Sequence, residues 1–166
     1  MPEFPGVDVP NDFWWARSAP MPLAGMRYLL QDFEWTRAAE LGFRTVVCLT
    51  GDDAGYDPSP LRCTAVKLQD LSGGKLPDDP DVELIKVRRA VDAVTASLGL
   101  SEGVLVHCGG GTGRSGTVVG AALVALDDDP GDVAAWLDRV HRGRGRRGWP
   151  ESPWQRDVLD LFAVGR

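Results

Sequence analysis

Cysteine and histidine are scarce in this chain. There are three cysteines, Cys48, Cys63 and Cys108, and two histidines, His107 and His141, among 166 residues. An odd, sparse set of thiols makes no disulfide framework and suits a reducing compartment, so a cytoplasmic location is expected. Neither residue type recurs at metal-ligand spacing, so no metal and no other cofactor is expected. Long apolar runs are missing too, which argues against membrane insertion. Residues 1–11 are rich in proline and acid and lack the apolar stretch of a secretory signal. Positive charge is the minority sign: 18 Lys and Arg stand against 24 Asp and Glu, a net charge of −6. That balance argues against general nucleic-acid binding. No internal repeat is visible. The length suits one domain with a core of its own, so residues 1–166 are read as a single domain, with residues 1–12 an irregular lead-in.

What is present is an alternation of strand-type and helix-type runs. Strands are predicted over residues 22–28, 44–49, 62–68 and 103–106, each β-branched or continuously apolar. Helices are predicted over 32–41, with Gly42 as the stop, and over 82–98, where Leu84, Val87, Val91, Val94 and Leu98 share a face. Further helices are expected from about Arg114 to Leu126, over 131–141 and over 152–164. In the last, Ser152 is the expected N-cap and Pro153 opens the first turn. Residues 50–60 and 70–81 read as loops and 127–130 as a turn. Trp136 fits a helix core face, and Trp14 and Trp15 are expected to anchor the N-terminal segment. The alternation predicts an α/β fold with a mainly parallel central sheet covered by helices on both faces.

The densest information lies in ten residues, His107-Cys108-Gly109-Gly110-Gly111-Thr112-Gly113-Arg114-Ser115-Gly116. They sit between the apolar strand at 103–106 and a helix. Glycines let a backbone curl until successive N–H groups point inward as an anion nest. The helix start adds its positive dipole end. Arg114 adds a planar fork that grips two phosphate oxygens. Cysteines in such fields ionise at about 3.5–7.5, against about 8.5 when free, so Cys108 is expected as a thiolate beside the bound anion. Gly109, Gly110, Gly111, Thr112, Gly113 and Arg114 are the expected phosphate-binding set. Ser115 is positioned to hydrogen-bond the sulfur and ease its departure, and His107 to fix the loop rather than to touch substrate.

Other motifs overlap this stretch. Residues 111–116 match G-x-G-x-x-G, but the dinucleotide fold wants a helix, a strand and then an acid about 20 residues on. Only one element fits before Asp127 to Asp129. Residues 108–115 have the spacing of a Walker loop, but Cys108 replaces its first glycine and Arg114 its lysine. An inert core thiol needs neither the glycines nor the arginine.

The sequence His107-Cys108-x-x-Gly111-x-x-Arg114-Ser115 resembles the signature of the cysteine-based protein phosphatases, the tyrosine and dual-specificity superfamily. The resemblance implies an α/β fold of the kind already read from the pattern. It implies metal-free, two-step hydrolysis of phosphate esters, with Cys108 as nucleophile and Arg114 holding the phosphoryl oxygens. In that family an aspartate on a loop before the long helix protonates the leaving oxygen. Here Asp70 ends the strand-like Val66-Lys67-Leu68-Gln69 and is the expected acid. Asp78 and Asp79 stay open, although just before Pro80 they also suit a helix cap. Glu151-Ser152-Pro153-Trp154-Gln155 resembles the family's late glutamine segment, which makes Gln155 a candidate to orient water, with an exposed helical Gln the plainer alternative. Arg139, Arg142, Arg144, Arg146 and Arg147 suggest a cationic rim that steers anions, or simply a solvated loop.

The compact chain is most like the dual-specificity branch, so the expected substrate is a phosphorylated protein, at phosphotyrosine with phosphoserine or phosphothreonine besides. A phosphoinositide or other small phosphate ester is the alternative. A thiol-based arsenate reductase or sulfurtransferase would need Cys48 or Cys63 to reach Cys108, which would also allow oxidative protection. A module that binds phosphate without turnover is the remaining class.

Overall fold

A computed structural model of the chain describes residues 11–28 and 33–164. The lead-in expected over residues 1–12 falls outside these up to residue 10, as does Asp32 of the expected first helix. Five strands and five helices follow in order: β1 (Phe13–Arg17), β2 (Leu23–Arg27), α1 (Trp35–Glu40), β3 (Phe43–Cys48), β4 (Arg62–Ala65), α2 (Pro80–Gly99), β5 (Gly103–Cys108), α3 (Gly113–Ala125), α4 (Pro130–Gly143) and α5 (Pro153–Val164).

The sheet order is β1-β2-β5-β3-β4. β2, β5, β3 and β4 run parallel, and β1 closes one edge antiparallel to β2. Every residue of the central strand β5 is buried. Val104, Val106 and Cys108 face a core shared with α2, α3, α4 and α5, while Leu105 faces a second core with Phe13, Met26, Phe43 and Ala38 of α1. A strand covered on both sides reads as an unbroken apolar run, which is why residues 103–106 carry no alternation. Cys108 therefore stands at the carboxyl end of the middle strand, where parallel sheets of this class place their ligands.

Strand β1 was not expected. Its aromatic residues do anchor the N-terminal segment, but they do so as a paired edge strand, with Trp14 only 2% exposed. The strand expected over 62–68 ends at Ala65, although the N–H groups of Val66 and Leu68 still reach the carbonyls of Cys48 and Leu49. Two helices start earlier than expected, at prolines whose missing N–H costs nothing in a first turn. Asp79 caps α2 by accepting from the Val82 N–H at 3.1 Å, and Asp129 caps α4 through Asp132. Gly42 ends the first helical segment with a left-handed φ of +100°. Ser152 does not cap α5 with its side chain, because its buried hydroxyl has no hydrogen-bond partner.

Candidate active site

The loop between β5 and α3 is shaped by its contact with β2. Gly111 has φ +72°, and a Cβ there would stand 2.5 Å from the Arg27 nitrogen and 2.7 Å from the Met26 carbonyl carbon. Only glycine combines that backbone angle with that approach. The Tyr28 N–H also donates to the Gly109 carbonyl at 3.0 Å.

Two side chains hold the loop from behind. Arg144 is 2% exposed; it donates to the carbonyls of Gly111 (2.9 Å) and Gly110 (3.2 Å), to Thr112 Oγ1 (3.2 Å) and to the Asn11 carbonyl (2.7 Å). Trp14 Nε1 donates to the same Gly111 carbonyl at 2.8 Å. A peptide whose C=O is drawn one way points its N–H the other, so these bonds turn the loop amides towards the mouth. The first turn of α3 adds N–H groups that have no partner within the helix. Burial and the neighbouring Arg146 lower the Arg144 guanidinium to about 10, still charged at neutral pH. Arg144 is thus no part of a solvated rim. Arg142 is exposed and paired with Asp138 at 2.9 Å, and Arg146 and Arg147 are exposed.

Cys108 is 2% exposed at the base of the loop. Arg114 reaches back over the start of the loop: one guanidinium nitrogen lies 3.4 Å from where a Cβ of Gly109 would stand, and the other donates to the Leu68 carbonyl at 3.5 Å. Ser115 is fully buried at the start of α3, but its hydroxyl makes no hydrogen bond, with Cys108 or otherwise. The sulfur contact expected of Ser115 is therefore not made in this structure.

His107 is 1% exposed, and its Nε2 shares a 2.5 Å hydrogen bond with the Tyr56 hydroxyl. Burial pushes its pKa down to about 4, so the ring is neutral at pH 7. Burial, with Cys48 nearby, pushes the Tyr56 phenol up, so it keeps its proton. The chain's other tyrosine, Tyr28, packs 5.4 Å from the imidazole, and Trp35 stacks on Tyr56 at 5.3 Å. Sequence gave no hint of Tyr56 beyond an aromatic residue inside a loop of Gly, Asp and Pro.

Of the three candidate acids, Asp70 is the one in the field of Arg114. It is exposed and accepts from the Ser72 N–H at 2.9 Å; that bond first, then Arg114 and Lys75, holds its carboxyl below the usual range. The residue before it is pinned, because the Gln69 N–H donates to buried Glu83 at 3.1 Å while its side chain accepts from the Asp78 N–H at 2.9 Å. Asp78 and Asp79 line a different cavity, beside Lys67 and Lys86.

Glu151 was not expected here. Its carboxylate lies against Gly113, where a Cβ would overlap it, and it senses both Asp70 and Arg114. Burial first, and Asp70 second, raise its pKa. Gln155, the expected water-orienting residue, is 1% exposed and otherwise engaged: its Oε1 accepts from the N–H groups of Glu151 (2.8 Å) and Ser152 (3.3 Å), fixing the start of α5. The neighbour four residues earlier thus holds the place at the mouth.

Cys48 pairs in register with His107, and its neighbour Val47 shares the core of Cys108. Alternation along β3 turns Cys48 to the opposite face of the sheet, and Cys63 is exposed on the edge strand β4. No thiol therefore faces Cys108 to resolve it. Among the described residues, no group of three His, Cys, Asp or Glu side chains could hold a metal, and no helix is long and apolar enough to cross a membrane. The arrangement is an amide-lined cradle for a tetrahedral oxyanion, with a thiol at its base, a guanidinium over it and two carboxyl groups at its edge.

Residues 16–146 match the family described as PTP-SAK, the DSP-PTPase phosphatase domain of Swiss Army Knife proteins. No curated protein matches the chain. Among solved structures, PTPMT1 superimposes with a TM-score of 0.66 at 18% identity over 92% of this chain and 95% of that one. Tk-PTP in its active form gives 0.65 at 22% identity over 95% and 99%. Human DUSP28 gives 0.63 at 19% identity over 91% and 93%. At these identities the likeness is one of fold.

Proposed function

The chain belongs to the DSP-PTPase phosphatase domain family, and from that premise we propose that it hydrolyses phosphate monoesters through a phosphocysteine intermediate. One observation carries the proposal: Arg144 and Trp14 hold the Gly110 and Gly111 carbonyls of the Cys108–Arg114 loop from behind, which favours turning its amides towards the mouth. A phosphoryl group seated there has its three equatorial oxygens on loop amides and Arg114, with the Cys108 sulfur in line with the ester oxygen.

In the first step the sulfur attacks phosphorus, the P–O ester bond breaks, and the proton of Asp70 passes to the departing oxygen. Asp70 must exchange its Ser72 contact for that proton, because that contact holds its carboxyl in the ionised form. In the second step water attacks phosphorus, the P–S bond breaks, and Asp70 takes the proton. Glu151 orients that water in our reading, with Gln155 beside it: the Gln155 Oε1 is committed to the helix start, while its Nε2 stands 3.0 Å from the Gly113 Cβ position. For Ser115 to ease the departure of the sulfur, its unpaired hydroxyl must turn to reach it. The cradle grips the phosphoryl group alone, so aryl and alkyl esters both fit; a phosphorylated protein or a small phosphate ester is chosen by groups around the mouth.

Hydrolysis of para-nitrophenyl phosphate tests the reaction. Acid-quenched turnover of a radiolabelled ester should leave label on Cys108 in the wild type and none in Cys108→Ser. Asp70→Asn should slow an alkyl phosphate by about 10²–10⁴-fold, the usual worth of a general acid. A wild-type protein that binds phosphate but turns over no ester would make it a binding module instead.

A further inference from the structure

Beside the phosphate loop lies a cleft of about 600 Å³, most of whose lining takes no part in the proposed reaction. Ser72 and Gly74 form one wall, Arg146 and Arg147 the other, and Thr112 and Glu151 the floor. The Gly74 N–H donates to the Glu151 carbonyl at 3.0 Å, which ties the first wall to the floor. Thr112 is the last loop residue before α3, so the cleft borders the phosphate loop. Its volume lies within the range of about 300–1,000 Å³ usual for small-molecule sites.

The charge in the cleft is unbalanced. Arg142 is paired with Asp138 and Arg144 is spent on the loop, but the guanidinium groups of Arg146 and Arg147 have no hydrogen-bonded or ion-pair partner among the described residues. Arg146 also lies close enough to Arg144 to disfavour that buried charge. Two free guanidinium groups beside a third, in a protein of net charge −6, are a local departure from composition. The one acid on the floor, Glu151, turns its carboxylate towards Gly113.

We propose that this cleft is a second anion site, and that the substrate is a small molecule carrying two phosphate groups, one cleaved at Cys108 while Arg146 and Arg147 hold the other. The proposal rests on the phosphatase reading and narrows it. The cleaved group leaves as inorganic phosphate by the two steps given above, and the second phosphate is unchanged.

The test compares kcat/KM for fructose bisphosphate and fructose monophosphate in the wild type and in the Arg146→Ala/Arg147→Ala double variant. One charge-assisted contact is worth about 1.5–3 kcal/mol, so the wild type should prefer the bisphosphate by about tenfold or more. The double variant should lose that preference. Calorimetry of fructose bisphosphate on Cys108→Ser should show binding that weakens by a similar factor when both arginines are also replaced. A wild type that cleaves para-nitrophenyl phosphate but shows no preference for the doubly phosphorylated substrate, as sugar or in the vesicles described below, overturns the second site, as does a double variant that keeps the preference. No cleavage of para-nitrophenyl phosphate overturns the phosphatase reading instead. Two further arms use vesicles of phosphatidylinositol bisphosphate in phosphatidylcholine and a doubly phosphorylated peptide. An arginine-dependent preference confined to the vesicles assigns the two phosphates to a lipid headgroup, whereas one confined to the peptide overturns the small-molecule assignment.

Discussion

Replacing Gly111 with alanine should unfold the catalytic loop from the inside. The new Cβ would stand 2.5 Å from the Arg27 nitrogen and 2.7 Å from the Met26 carbonyl carbon, both main-chain atoms of β2. That strand cannot step aside, because β1 pairs on one edge and β5 on the other. The left-handed φ of +72° adds its own penalty. An L-residue there costs about 1–2 kcal/mol, and an overpacked site about 1–3 kcal/mol, for a total of about 2–5 kcal/mol. Relief by moving the loop would break the bonds from Trp14 and Arg144 to the Gly111 carbonyl. Gly110 is the internal control: nothing lies within 4 Å of its Cβ position, and its φ is not left-handed. Gly110→Ala should change stability by no more than about 0.5 kcal/mol. Urea unfolding followed by tryptophan fluorescence gives both values. If Gly111→Ala proves no less stable than Gly110→Ala, the close approach to β2 does not constrain the loop and the reasoning fails.

Other expectations follow from the same contacts. Arg144→Met leaves the Gly110 and Gly111 carbonyls without their cationic donor; kcat/KM should fall at least about tenfold and inorganic phosphate should bind more weakly, while unchanged product inhibition would refute the tie-back. Glu151→Gln should lower kcat more than kcat/KM, because only the second step needs the oriented water; equal losses in both would assign Glu151 to the first step. His107 and His141 are held neutral, at about 4 and about 3, by burial first. Their contribution is whole above the unfolded value of about 6.5 and is lost as pH falls towards the folded values, by about 2 kcal/mol per histidine at pH about 5. Urea titrations across that window should show the decline, and a flat profile would contradict it. Tyr56→Phe strips buried His107 Nε2 of its partner and should cost about 1–3 kcal/mol; a neutral result would mean the ring does not depend on that bond.

The parts of this fold that sequence discloses are those written in local chemistry. The unbroken apolar run of β5, the proline-opened helices and the glycine stop at residue 42 all act over a few neighbours. The proposed nucleophile and its loop are equally local, since Cys108 and Arg114 are six residues apart by number. What is invisible acts across the chain. Arg144 reads as one more arginine in a polar run until the fold buries it behind Gly111. Tyr56 sits in a stretch with every mark of an open loop, yet it reaches a histidine 51 positions away. Gln155 and Glu151 share one short motif, and only the geometry of the helix start decides which of them is committed to main-chain amides. Strand β1 escaped because its run of three aromatic residues lacks the alternation that marks an edge strand.

The carbonyl of Gly111 is where distant parts of the polypeptide meet. Trp14 arrives from 97 residues before it and Arg144 from 33 residues after it, and Arg144 also reaches back 133 positions to Asn11. Such wide loops close late in folding, after nearer contacts have formed. A nascent or partly unravelled copy thus has Cys108 without the scaffold that shapes its loop. Under the proposed function such a copy is silent, and turnover gauges the integrity of the whole chain.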